Sequence, residues 1–367
     1  MLADVLVVGA GPAGIATAVA ASLKGLQVTV ADARRPLIDK PCGEGLLPEA
    51  VRSLRLLGIE PSLCSAFPLG GIRFTDSHSS SSASLPKGTA YGMRRTALHQ
   101  LLIERAQEVG VSFLWGAHTT QFSSECALIN GQLFRFKWLV GADGQNSSVR
   151  AWARLDPRRA SYARFGFRRH FAANAWTDMV EVFWGRRFEL VVTPIGAAEI
   201  CVSFFTSDSR LRIEQAFAQF PALEARMARA RPLNTERGTV TSIQQPRAVV
   251  RGRVALVGDA SCTVDGIAGQ GMSLAFQQAI QLADALAADN LAQYETAHRR
   301  ICKMPLRMAR LLLLMDRHAW IRQKTLRVFA AMPGLFLKAI SLHTNEPAGA
   351  PFTANEISDQ GWRALRA

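Results

Sequence analysis

The chain has 367 residues, 49% hydrophobic and 20% charged, with 43 Lys and Arg against 29 Asp and Glu for a formal charge of +14. That length suggests about two domains with an ample core, and the composition is that of a soluble globular protein. No apolar run approaches the ~20 residues a spanning helix needs. No basic segment precedes the first strand, so no cleavable signal is expected.

The charge admits nucleic acid, an anionic membrane surface or acidic ligands, and no nucleic-acid recognition motif accompanies it. Cys42, Cys64, Cys126, Cys201, Cys262 and Cys302 form no CxxC pair and no ligand spacing with histidine. They read as reduced thiols in a cytoplasmic protein, with no metal site expected.

The first predicted strand, Val5-Leu6-Val7-Val8, runs into Gly9-Ala10-Gly11-Pro12-Ala13-Gly14, and a helical pattern follows on Ile15, Ala18, Val19, Ala21 and Leu23. A second strand, Gln27 to Ala31, ends on Asp32. In this order GxGxxG is a dinucleotide cradle. Gly9 permits the tight turn, Gly11 lets backbone approach a pyrophosphate, and Gly14 lets helix and strand pack closely. The helix start offers free N–H groups to phosphate, and Asp32 sits where a carboxylate accepts from ribose hydroxyls.

A loop containing Lys40-Pro41-Cys42-Gly43-Glu44-Gly45 and a helix from Pro48 to Leu57 come next. The Ser-rich segment His78 to Ser84 reads as a hairpin tip or loose loop. Arg94 to Val109 reads as a helix with Leu98, Leu101, Leu102 and Ala106 on one face. Val111 to Trp115, Cys126 to Asn130 and Leu133 to Val140 are strand-like.

From about 160 to 245 the pattern becomes alternating strands: Arg164 to Phe171, Met179 to Trp184, Phe188 to Thr193 and Glu199 to Phe205, then a helix Ile213 to Arg229 and a strand Gly238 to Ile243. This reads as a separate β layer, the natural wall for a substrate. Arg253 to Val257 is another apolar strand, the chain is helical to about Leu342, and the last twenty or so residues read as a loose tail.

Two later strands also end in acids. Leu139 to Arg150 places Asp143 in a Gly-containing turn, and Val254 to Ala260 places Asp259 ahead of Gly266-Ile267-Ala268-Gly269-Gln270-Gly271-Met272 and a helix from Ser273 to Ala288. A carboxylate at a strand's C-terminal edge can bind sugar or ribityl hydroxyls, and a Gly-rich helix start stabilises negative charge. Reduced flavin carries such charge around N1.

These motifs, correctly ordered over residues 1 to about 290, resemble the GxGxxG, DG and GD signatures of the FAD-dependent aromatic hydroxylase superfamily, which includes geranylgeranyl reductases and flavin-dependent halogenases. The resemblance implies an α/β fold: a three-layer Rossmann-like FAD-binding domain of the glutathione-reductase type, an inserted antiparallel β-sheet substrate domain, and C-terminal helices. The expected FAD domain is 1–75, 91–160 and 246–295, the substrate domain 76–90 and 161–245, the C-terminal helices 296–345 and the tail 346–367.

By the same resemblance, Gly9, Gly11, Pro12, Ala13 and Gly14 hold the FAD pyrophosphate. Asp32 holds the adenosine ribose, with Ala33 and Arg34 beside it, and Asp259 the ribityl chain. Asp143 lies near the pyrophosphate and helps position NAD(P)H. Gly269, Gln270, Gly271 and Met272 form the helix start near the flavin, and Arg95 reaches FAD, with Arg94 as fallback. The loop carrying Cys42 and Gly43 resembles the geranylgeranyl-reductase branch, where it lies beside the isoalloxazine. No catalytic base is assigned; Cys42, Glu44 and Asp265 are the candidate polar groups.

In this superfamily NAD(P)H reduces FAD transiently, and O2 then gives a flavin C4a-hydroperoxide that hydroxylates an electron-rich ring. Halogenases carry Trp-x-Trp-x-Ile-Pro; this chain has Phe188 to Ile195 instead, which disfavours halogenation. Val191 to Gly196, Asp259 to Gly266 and Leu312 to His318 are similar to bacterial hydroxylases of polyketide-derived phenols and alkylresorcinol-type lipids. The implied activity is hydroxylation of a lipophilic phenolic or related aromatic metabolite. The alternatives are a geranylgeranyl-reductase-like double-bond reductase and a prenyl-lipid binding module without redox activity, the latter at odds with the intact glycines and acids.

Near the C-terminus, ten basic residues from Arg299 to Lys338 interleave with Leu311 to Leu314, Trp320, Ile321, Leu326, Phe329 and Leu335 to Leu337. This suits either helices lying on anionic lipid at the inner face of the membrane or ordinary solvated helices.

Overall fold

The computed structural model describes residues 2–86, 88–123, 125–155 and 163–344. The expected domain boundary at 160/161 and the tail 346–367 lie outside these residues.

The core begins with Leu2–Val8, a strand in which Val5, Leu6 and Val7 are all fully buried. A continuous apolar run of this kind suits a parallel strand covered on both faces. It pairs in parallel with Val28–Asp32 on one side and Gln132–Gly141 on the other. Ser112–Trp115 and Val254–Leu256 extend the parallel sheet, and Val250–Arg251 closes one edge in antiparallel.

The strand Gln132–Gly141 changes character along its length. Its first half alternates between exposed and buried residues where it forms a hairpin with Cys126–Ile129, and its last four residues are all buried between parallel neighbours. The helices Pro12–Ser22, Arg95–Glu108 and Gly271–Ala287 pack together beside this sheet. Ile15, Val19, Leu98, Leu102, Phe276 and Leu282 join Val5, Leu139 and Val140 in one core.

The second sheet runs Arg231–Pro232, Ala163–Ala172, Glu199–Thr206, Phe188–Gly196, Met179–Trp184, Gly71–Thr75, Ser80–Ser84, with Arg237–Ser242 also on Ala163–Ala172. Its pairings are antiparallel apart from Met179–Trp184 with Gly71–Thr75. Gly71–Thr75, on the FAD side of the expected boundary at residue 75, thus belongs to this sheet. One face buries Phe171, Phe188, Leu190 and Phe204 against Phe217, Phe220 and Leu223.

The expected helix Ile213 to Arg229 is two helices, Ile213–Phe217 and Pro221–Met227. Pro221 lacks an N–H and is tolerated only in a first turn. The Ser-rich segment is likewise more ordered than a loose loop. Asp76 accepts from the N–H groups of His78 and Ser79 at the tip, and Ser80–Ser84 returns as a strand with Ser81 and Ala83 buried. The helices Ala319–Ala331 and Pro333–Thr344 pack on this strand, which small side chains permit.

The long helix Leu291–Arg317 precedes that pair. No single helix among the described residues is long and apolar enough to cross a membrane. The two C-terminal helices pass such a test only together, bent by 111°.

Candidate active site

A cavity of about 920 Å3 lies between the parallel sheet, the second sheet and the C-terminal helices, and all three glycine motifs open onto it. Of the residues expected at the cofactor, Gly11, Pro12, Ala13, Arg34, Cys42, Gly43, Arg95, Asp143, Asp259, Gly269, Gly271 and Met272 line it. Glu44 and Asp265 line it as well. Gly9, Gly14, Asp32, Ala33 and Gln270 are not among its lining residues.

Local geometry separates the glycines by task. Gly9 has φ +109°, and a Cβ there would lie 2.4 Å from the Ala142 carbonyl oxygen; at Gly14 it would lie 1.9 Å from that of Gly9. These two positions are spent on close packing. A Cβ on Gly11 would meet nothing within 4 Å, so its backbone is the bare edge presented to a ligand at the start of Pro12–Ser22.

Asp32 holds the loop from behind. Its Oδ2 accepts from the Ala10 N–H at 2.7 Å and its Oδ1 from that of Arg34 at 2.8 Å. His99, fully buried, braces the same loop: Nε2 donates to the Ala10 carbonyl at 2.7 Å. Burial lowers the His99 pKa, consistent with a neutral ring.

Asp143 caps the short helix Ser148–Trp152, accepting from the Ser147 and Ser148 hydroxyls and the Ser148 and Val149 N–H groups. Arg150 ties this turn to the next motif, donating to the Gln145 and Ala260 carbonyls. Gln278 Oε1 accepts from the Gly258 N–H at 2.8 Å and so anchors the third turn. Asp259 opens onto the cavity, yet the protein packed around it pushes its carboxyl up, opposed by the charges of Lys40 and Arg95. Lys40 also lines the cavity, its pKa lowered first by burial and then by Arg95 and Arg34. Lys40 and His99 were not singled out from sequence, because neither lies inside a glycine motif.

Glu44 has φ +57°, a conformation that disfavours a side chain with a Cβ. It is held there: Oε1 accepts from the Arg95 N–H at 3.0 Å, and Oε2 pairs with His170 Nε2 at 2.6 Å. Asn234 Nδ2 meets His170 Nδ1 at 2.5 Å, so Nε2 carries the proton toward Glu44. Glu44, His170 and Cys201 bring three potential ligand atoms within 4.8 Å of one another. Both Glu44 oxygens are already engaged, and the Arg168 guanidinium lies 2.9 Å from His170, which opposes a cation there.

The wall opposite the glycine motifs is built by strand alternation. Along Phe188–Gly196, Glu189, Val191 and Thr193 line the cavity while Leu190 and Val192 enter the core behind. Ile72, Phe74, Val182, Phe205, Leu312 and Phe336 make the lining largely apolar.

Two buried arginines stand on the neighbouring strand Ala163–Ala172. Arg168 pairs with Asp39 and with His170. Arg164 contacts Asp265 at 2.6 Å, Asp316 at 3.1 Å and Glu189 at 3.9 Å. Burial pushes the Glu189 carboxyl up to about 8, with Asp316 and Asp265 adding to the rise and Arg164 opposing it. Burial thus favours the protonated form of Glu189.

The sequence profile of a family described as FAD binding domain matches residues 2–182. A 3-hydroxy-4-methyl-anthranilyl-[aryl-carrier protein] 5-monooxygenase of Streptosporangium sibiricum is 31% identical over 326 residues, covering 84% of this chain and 87% of that protein. The chain belongs to the FAD-dependent monooxygenase family.

A second relative of this monooxygenase-family chain, a menaquinone reductase of Mycobacterium tuberculosis, is 32% identical over 158 residues, and the match spans only 39% of its length. A flavin-dependent brominase structure superposes with a TM-score of 0.79 over 94% of each chain at 19% identity, which establishes a shared fold. The cavity fits the family's FAD. Arg95 Nε is buried without a partner, Gly11 leaves bare backbone at a helix start, and Lys40, Arg34 and Arg95 bring cations to the same end.

Proposed function

We propose that the protein hydroxylates the aromatic ring of a lipophilic phenol or polyketide-type metabolite, using FAD, NAD(P)H and O2. The observation that carries this reading is the single cavity joining the three glycine motifs to an apolar wall. The Streptosporangium relative, named for a monooxygenation of a hydroxylated aromatic ring, supports the reaction class.

Bare backbone at Gly11 and the Pro12 helix start would hold the pyrophosphate, with Arg34, Lys40 and Arg95 neutralising it. Asp259 would take ribityl hydroxyls. Asp32 would reach a ribose only with oxygens already accepting backbone N–H groups, so it acts first as a brace. Gly43 and Gly269, both lining the cavity, would let backbone approach the flavin from two loops. FAD, when bound, supplies the electron transfer and oxygen activation. Val191, Phe205, Ile267, Leu312 and Phe336 exclude water and orient the ring.

The purified protein should be yellow with a flavin absorbance spectrum. Lipophilic phenols should stimulate NAD(P)H oxidation and gain one oxygen; consumption that no phenol stimulates would defeat the reading. A second reading, reduction of an isoprenoid double bond, draws on the partial similarity to menaquinone reductases and on Cys42 and Gly43 lining the cavity. Anaerobic saturation of such a bond without hydroxylation would replace the first.

We also propose a cytoplasmic setting with peripheral membrane contact. Trp320, Leu335 and Leu342 are exposed on the two C-terminal helices, and Met332 in the break between them, while Phe329, Phe336 and Ile340 of the same helices line the cavity. Sedimentation with anionic vesicles at low salt tests this, and absence of binding would end it.

A further inference from the structure

Resting on the phenol reading above, we infer that the cavity wall at Glu189 and Asp265 is a subsite for a neutral hydrogen-bond donor on the substrate ring, a phenolic hydroxyl or aromatic amine, and that it rejects a carboxylate. Four distant segments meet there: Glu189 from the second sheet, Asp265 from the third motif, Arg164 from the adjacent strand and Asp316 from the long helix.

Glu189 and Asp265 are each 1% exposed and both line the cavity. Glu189 Oε2 and Asp265 Oδ2 are buried with no hydrogen-bond partner. Buried polar atoms are nearly always paired. The buried donors left unpaired nearby, Arg164 Nε and Trp184 Nε1, belong to residues that do not line the cavity, so on the cavity side donors to these two oxygens would arrive with the ligand.

The charge balance selects the donor's form. Arg164 is not among the lining residues; its two Nη atoms bond Asp316 and Asp265, and its Nε is buried away from the cavity. An arriving carboxylate would meet acids and no available cation at this wall. In its protonated form, which burial favours, Glu189 can accept through one oxygen and donate through the other. Phe205, which packs into space left by Gly166 and Gly266, supplies an aromatic surface beside the pair.

The test is calorimetric titration of the FAD-loaded protein at pH 7 with 5-pentylbenzene-1,3-diol, its dimethyl ether, and 2,4-dihydroxy-6-pentylbenzoate. The diol should bind about tenfold more tightly than either of the others. Glu189→Ala should cut the preference for diol over ether to about twofold, while Glu189→Gln, which keeps a neutral donor and acceptor, should retain most of it. Equal binding of diol and ether, a carboxylate that binds as well as the diol, or an unchanged preference in Glu189→Ala would overturn the subsite and leave the phenol reading standing. Should Glu189→Ala not fold, the wild-type ranking and Glu189→Gln decide. No binding of any probe would remove the phenol reading and the subsite together.

Discussion

Arg164 and Arg168 stand four residues apart on one strand, with side chains on the same buried face, and their surroundings differ in the ratio of acids to cations and in how exposed those acids are. Arg168 meets Asp39, which keeps 21% side-chain exposure and has a second cation in Arg237 at 3.3 Å. Arg164 is sealed among Asp265, Asp316 and Glu189. Arg164, with Arg322 also acting on Asp316 and Glu189, faces three carboxylates in a buried space, which favours the protonated form of the least well paired, Glu189. The Arg168 cluster is structural fastening, whereas the Arg164 cluster leaves hydrogen-bonding capacity unspent at a cavity wall.

The sharpest way to break this contrast is Arg164→Leu. It would strand Asp265 and Asp316 without their cation, and a loss on the order of 3–5 kcal/mol is expected by chemical denaturation. A loss below about 1 kcal/mol would mean the cluster is hydrated.

Next in size is the pH dependence carried by Glu189. Its carboxyl titrates near 8 in the folded protein against 4.5 as the ordinary value. The folded state thus holds a proton that the unfolded chain releases. The contribution of Glu189 to stability is fully present below the unfolded value, falls as pH rises from about 4.5 to 8, and is flat above, a change on the order of a few kcal/mol. Arg164, Asp265, Asp316 and Arg322 are the charged groups acting on it or on its partners. Glu189→Gln should remove this part of the slope and be more stable than wild type at pH 8. Parallel pH profiles for the two proteins would contradict the assignment.

Arg168→Leu should cost less, about 1–3 kcal/mol, because Asp39 can turn to water and keeps Arg237. If it proves as costly as Arg164→Leu, exposure of the acid is not what separates the clusters. The smallest expected effect is Glu44→Gln. The amide oxygen can still accept from the Arg95 N–H, while its NH2 replaces the oxygen that accepted from His170 Nε2, so a loss of about 1 kcal/mol is expected in urea denaturation.

What could be read before folding was whatever lay within one stretch of chain. GxGxxG, the acids after strands ending near Ala31, Gly141 and Val257, and the alternation along Phe188 to Thr193 each act over a few neighbouring residues, and the parallel sheet and cavity-lining glycines match them. The Ser-rich return strand was obscured because small polar residues become buried only when two distant helices cover them.

From the order of amino acids alone came a dinucleotide cradle and a β wall, since glycine conformational freedom and hydrophobic periodicity are local properties, and the resemblance of the three ordered motifs pointed to flavin. Tertiary structure alone decided that residues 189, 265 and 316 meet around the buried Arg164 guanidinium, that His99 braces the first glycine loop and that Lys40 lines the cavity. Which acid keeps a proton depends on neighbours and dielectric, and both exist only once separated segments have packed together.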